Sequence, residues 1–221
     1  MMEQHWTLEQ ATAAFVRQHQ DYNALYGLFA GNGFVEAGKT LDIAVDERIP
    51  LSPELQYVYS HYEIMDPSAE GSLKLKNAAV LIGDGILLCF AAPDYLDRLQ
   101  LGHRWIGDVN APQESEQWAP QHVVIATYND DPIIADTSAE GTPVYVSFEG
   151  GDAELAAKSL ADFFAALTLL IEAATMLGGE IQDEETYEVK DIYLKLVEPK
   201  LNELLGEEAT NHLLVYLSLR W

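Results

Sequence analysis

HVVIATYNDDPIIADTSAEGTPVYVSFEGGDAELAAKSLADFFAALTLLIEAATML, residues 122–177, is the stretch whose reading decides the fold. Three apolar runs, Val123 to Ala126, Ile133 to Ala135 and Val144 to Phe148, are rich in β-branched residues. The turn-forming links Asn129-Asp130-Asp131-Pro132 and Ser138 to Gly141 separate them. β-branched side chains suit a pleated surface, whereas Asn, Asp and Gly suit turns, so the pattern predicts a three-strand meander. Beyond it, Leu160, Phe163, Phe164, Leu167, Ile171, Ala174 and Leu177 recur at steps of three and four, which puts them on one stripe of a helix. Gly178-Gly179 supplies its stop. A sheet covered by a helix is the expected core.

Working outward toward the N-terminus, Thr7 and Gln10 have the spacing of a capping box. The helix they open carries Phe15, Tyr22 and Phe29 at heptad spacing and ends near Gly31-Asn32-Gly33. Leu41, Ile43 and Val45 alternate as in a half-buried strand. Ser52-Pro53-Glu54 combines an N-cap hydroxyl, a first-turn proline and an acid at the positive end of the helix dipole. Strands are expected from Leu73 to Phe90, with a hairpin turn at Asp84-Gly85, then a short helix from Pro93 to Leu101. Gly102 to Pro120 reads as a loop pinned by Trp105 and Trp118. Asp152 and Glu154 read as the cap of the long helix.

Toward the C-terminus, Tyr193, Leu194 and Val197 mark one helix and Leu213, Leu214 and Leu217 another. From Glu180 to Glu208 there are ten acidic and three basic residues, so this tail is expected as an acidic unit, docked or mobile. The expected organisation is one α+β domain spanning 1–221, its central sheet mostly antiparallel or mixed and packed by helices. The core covers about 41–177, the N-terminal helix about 7–30 and the acidic helical C-terminal appendage about 180–221.

Charge narrows the partners. With 36 acidic against 12 basic residues the formal charge is −24. Phosphate backbones and anionic lipid surfaces repel such a chain, so neither nucleic acid nor membrane is an expected partner. A basic protein is attracted instead, although high charge also serves solubility alone. The start MMEQHWTLEQ has no basic, apolar secretory pattern, and Asp162 and Glu172 interrupt the longest apolar run, so a cytoplasmic protein is expected. Cys89 is the only cysteine and, between Leu88 and Phe90, is expected to be a buried, inert thiol.

Chemical motifs are few. Gly33 to Thr40, GFVEAGKT, matches the phosphate-binding pattern GxxxxGK[ST]. That pattern needs a preceding strand and a following helix whose N-terminus receives the phosphate, and here a helical pattern precedes while an alternating one follows. Glu36 would also face the phosphates. Asp130, Asp131 and Asp136 fit no calcium-loop spacing, and the six histidines fit no zinc motif. There is no GxSxG elbow, and with so many acids a glycosidase pair is not identifiable. Neither a catalytic constellation nor a cofactor or metal site is expected.

One succession of segments does resemble a family. Ile49-Pro50-Leu51-Ser52-Pro53 opens a helix, Gly102-His103-Arg104-Trp105-Ile106 follows, and Trp118 leads into VVIATYNDDPIIADTS. PVYVSF and Ala157-Lys158-Ser159-Leu160-Ala161-Asp162-Phe163-Phe164 complete it. The order resembles the SUKH superfamily of fungal Smi/Knr cell-wall regulators and bacterial immunity proteins, over Ile49 to Leu177. The resemblance implies an α+β protein-binding module with no catalytic residues to carry over. Its bacterial members commonly neutralise a cognate toxin, often a nuclease. The leading expectation is therefore an immunity-type protein that binds a basic toxin domain. Its candidate contacts are Asp130, Asp131 and Glu140 at the meander turns, with Glu184, Glu185 and Glu188 in the tail. A cell-wall or housekeeping scaffold and a small nucleotide-binding enzyme working through GFVEAGKT are the other two readings.

Overall fold

The computed structural model describes residues 6–27, 33–65 and 77–220. Phe29, the expected helix end at Gly31-Asn32, and the start of the strand reading at Leu73 lie outside those residues. Helix α1 (Leu8–Tyr26) begins as expected. Thr7 Oγ1 accepts from Gln10 N and Gln10 Oε1 accepts from Thr7 N, both at 3.2 Å, and Phe15 and Tyr22 are buried. Helix α2 (Pro53–His61) has Ser52 as N-cap, its Oγ accepting from Leu55 N at 3.2 Å.

The meander forms. Strands β7 (His122–Tyr128), β8 (Asp131–Asp136) and β9 (Val144–Val146) pair antiparallel, and β3 (Asn77–Ile82) with β4 (Ile86–Ala91) adds a hairpin alongside β7. With β10 (Glu154–Ala157) they make a six-stranded antiparallel sheet in the order β10-β9-β8-β7-β4-β3. Helix α4 (Leu160–Met176) covers one face, its N-cap hydroxyl on Ser159 accepting from Asp162 N at 3.0 Å. Six α-helices among the described residues, with α4 laid on this antiparallel sheet, make the fold α+β.

Three local expectations are corrected. Leu41, Ile43 and Val45 do not form a strand: residues 41–46 run irregularly, while β1 (Gly33–Glu36) pairs with β2 (Tyr62–Met65) as a separate ribbon. Gly102 to Pro120 is not simply a loop, because β5 (Trp105–Asp108) and β6 (Ala111–Glu114) form a hairpin inside it. Both tryptophans do pin it: Trp105 is buried under the Arg48 guanidinium, 4.2 Å above its ring, and Trp118 Nε1 donates to His122 O at 2.8 Å. Asp152 and Glu154 do not cap α4; Glu154 begins the edge strand β10, which leads into the Ser159 cap.

Helix α4 is also more deeply set than a one-sided stripe. Ala161, Ala165, Ala166, Leu170 and Ala173 are buried as well, because α1 and α5 (Asp191–Leu205) flank the side away from the sheet. An apolar helix with partners on nearly every side is the physical meaning of a sequence whose apolar residues are broken only by Asp162, Thr168, Glu172 and Thr175. The tail is docked: Tyr193 Oη donates to Leu170 O at 3.1 Å, and Val197, Leu201, Leu213 and Leu214 join the same core. Helix α6 (Glu207–Tyr216) packs on β10 and β9.

The outer sheet face is covered in part. After β4, the 3-10 turn Pro93–Tyr95 and helix α3 (Leu96–Leu99) carry the chain over β7. There the buried Gln100 side chain donates to Val124 O at 2.9 Å and accepts from Val124 N at 3.0 Å. Strand β7 pairs with β4 only at Ala126 and Thr127, so Gln100 replaces the missing strand beside Val124.

Candidate functional site

Antiparallel pairing decides which turns meet. Because every neighbouring pair in the sheet is antiparallel, the β3–β4 turn, the β7–β8 turn and the β9–β10 loop all emerge at one end. They carry Asp84, then Asp130 with Asp131, then Glu149 and Asp152. Four strand spacings separate the first turn from the last, so at roughly 4.8 Å each the row is ~20 Å wide.

The β7–β8 turn is the best defined part. Tyr128 pairs with Asp131, leaving Asn129 and Asp130 as a two-residue loop with φ of 50° and 69°. Left-handed backbone at both positions is the twist a tight hairpin needs, and Asn and Asp tolerate it better than other residues with a Cβ. Two further contacts hold the turn. Tyr216 Oη, on α6, donates to Asp131 O at 2.8 Å and accepts from Tyr128 N at 3.2 Å. Glu149 N donates to Asp131 Oδ1 at 3.1 Å.

Asp84 fastens the tail to the same end. Its Oδ1 accepts from Ile181 N at 2.9 Å and Gln182 N at 3.2 Å. From there the chain turns through Asp183, whose carboxylate accepts from Glu185 N and Thr186 N, both at 3.0 Å. Those backbone N–H groups, Thr186 first, hold the Asp183 carboxyl below the usual carboxylate range. Glu184, Glu185 and Glu188 are exposed on this turn. Of the six contacts expected from sequence, five therefore sit on segments anchored at one end of the sheet. Glu140 does not: it lies on the β8–β9 loop at the opposite end, beside Gly141 and the Ser159 cap of α4.

Other candidates behave differently. In GFVEAGKT, Gly33 opens β1, and no helix follows until α2. Gly33 has φ +120°, and a Cβ there would lie 1.8 Å from His19 Nε2, so the glycine admits a buried histidine. At Gly38 a Cβ would meet nothing within 4 Å. Asp131 and Asp136 end opposite tips of β8, ~17 Å apart at strand rise, too far to share a cation with Asp130. Among the described residues no group of three or more His, Cys, Asp or Glu is placed to hold a metal ion. A cavity behind β1 and β2, walled by Phe34, Leu55, Phe90 and Phe164 among others, measures about 10 Å³, room for a single water.

Cys89 departs from its expected burial. It is half-buried on the outer face of β4, where burial and then the nearby Asp130 push its thiol up and keep it protonated. His103 and His122 flank Trp118, with ring centroids 5.5 and 6.3 Å away, and His122 stacks on Tyr145 at 5.4 Å. Burial lowers both histidines, only partly opposed by Asp131 and Asp136 respectively. This row closes the outer face over β7 to β9. No protein-family model, curated protein or solved structure matches the chain.

Proposed function

We propose that this protein is a non-enzymatic binding module of the SUKH kind, an immunity protein of the bacterial cytoplasm that neutralises a cognate toxin by covering a basic surface, a nuclease domain being the best-suited target. The observation that carries the reading is the acid row at one end of the sheet. Asp84, Asp130, Asp131, Glu149 and the turn bearing Glu184, Glu185 and Glu188 are held by specific hydrogen bonds rather than left on loose tails. Fixed like charges across ~20 Å match the width of a protein contact and speed encounter with an oppositely charged partner. The order of segments from Ile49 to Leu177 that resembles the superfamily supports the same reading, as does the antiparallel α+β fold. No described helix is long and apolar enough to cross a membrane.

The test is genetic and biochemical. The gene beside this one should encode a basic toxin domain; deleting that gene should make this protein dispensable, and the two products should co-purify. A neighbourhood with no toxin-like gene, together with no tight basic partner in a pull-down, would count decisively against it.

A further inference from the structure

We infer that the outer face of β3 and β4 around the exposed Leu87, with the β7–β8 turn at its end, is the docking face for a basic protein partner, whose apolar side chains would lie on Leu81, Leu87 and Cys89 while its cationic side chains meet Asp130. The inference rests on the binding-module reading above and adds a location to it.

Sheet parity creates the face. Val80, Ile82, Ile86, Leu88 and Phe90 point into the core, so Leu81, Leu87 and Cys89 point the other way, and the register sets Leu81 opposite Leu87 and Cys89 beside Thr127. Among the described residues α3 lies against β7, Trp118 stands against His103 and His122, and His122 stacks on Tyr145 of β9. Leu87 is left 38% exposed. Carrying the antiparallel register two residues on from Cys89 sets Leu87 beside Asn129, next to Asp130.

Charge selects the occupant. Among the described residues Asp130 forms no ion pair, although seven such pairs occur there. Asp130 lies close enough to act on the Cys89 thiol. A second copy of a chain carrying −24 would bring this acid-edged face against like charge, so an apolar surface ringed by lysine or arginine is the complementary partner. The left-handed Asp130 adds to the argument: glycine would suit the backbone better there, and only the carboxylate is lost by its absence.

Two synthetic peptides test the face on the full-length ¹⁵N-labelled chain at low salt: an alternating lysine–leucine heptapeptide and its lysine–serine counterpart. The lysine–leucine peptide should shift amides at Leu81, Leu87, Cys89 and Thr127. Leu87→Thr and Asp130→Gly should each weaken it by about tenfold with the unfolding midpoint held or raised. Equal binding of both peptides, with shifts scattered over acids everywhere, would overturn the face while leaving the basic-partner reading in place. Binding of neither peptide overturns the face and removes the electrostatic basis of that reading. Self-association of the chain abolished by Leu87→Thr would replace the basic partner with a second copy.

Discussion

Gln100 does with one side chain what a neighbouring strand does elsewhere in the sheet, and nothing in its local sequence marks it. Replacing it by leucine keeps the volume but leaves the buried Val124 N–H and C=O without partners. Each orphaned group costs about 1–3 kcal/mol, so Gln100→Leu should lose about 2–4 kcal/mol in urea unfolding, far more than Gln18→Leu on the partly exposed face of α1. Asp130→Gly should move the other way: glycine accepts the φ of 69° without the Cβ, and about 0.5–1 kcal/mol of stability should be gained in the same assay. His122 supplies a pH signature. Its folded-state value lies below the ordinary one because burial disfavours the charged imidazolium, so the unfolded chain takes up the proton first. The stability due to its neutral form is complete above about pH 6.5 and is lost as the pH falls from there through the lowered native value. Surface carboxylates take up protons mainly below about pH 5, where relief of repulsion acts in the opposite direction. Between those limits His122→Gln should flatten the decline in unfolding midpoint; an unchanged slope would remove His122 from the account.

Elements were legible where periodicity and turn chemistry agreed. The meander and α4 follow from residues 122–177 because alternation, the Asn129-Asp130 turn and three-four spacing each point to one structure. Where the partner is remote, alternation misleads. Leu41, Ile43 and Val45 have strand-like spacing but no neighbouring strand, and Leu41 N finds only Ser60 O, while Gly33–Glu36 pairs with Tyr62–Met65 across an intervening helix. The Trp105–Glu114 hairpin hid in a polar, proline-containing stretch because its strands are mostly exposed and lack an apolar face. The site divides in the same way. Asp130 and Asp131 are visible as turn acids, the first exposed and the second half-buried, but their grouping with Asp84 and Glu149, and the exclusion of Glu140, depend on register. Helix α6 enters here through Tyr216, which no sequence signal connected with the β7–β8 turn. Tyr216→Phe removes the donor to Asp131 O and the acceptor for Tyr128 N, a loss of about 1–3 kcal/mol. Amide exchange at Tyr128 should accelerate more than exchange at Val123, in the middle of the same sheet. Equal changes at both would mean that the tyrosine stabilises the fold without specifically holding the turn.

At the scale of the whole molecule the charge of −24 sets two quantities against each other. Self-repulsion among so many carboxylates destabilises the compact state, whereas the same field draws in a basic partner. Raising ionic strength from 0.01 to 0.1 M shortens the screening length from about 30 to about 10 Å, which is less than the ~20 Å acid row. Added salt should therefore raise the thermal midpoint of the free chain while lowering the association rate with its partner by about tenfold. The dissociation rate should change little, because contacts formed on Leu81 and Leu87 are short-ranged and apolar. Calorimetry and stopped-flow measurements over one salt series separate the two effects. A steep dependence of the dissociation rate would shift the weight of binding from that apolar face to the charges around it. A thermal midpoint that falls with salt would show that the acids are held by attractive contacts rather than strained by repulsion.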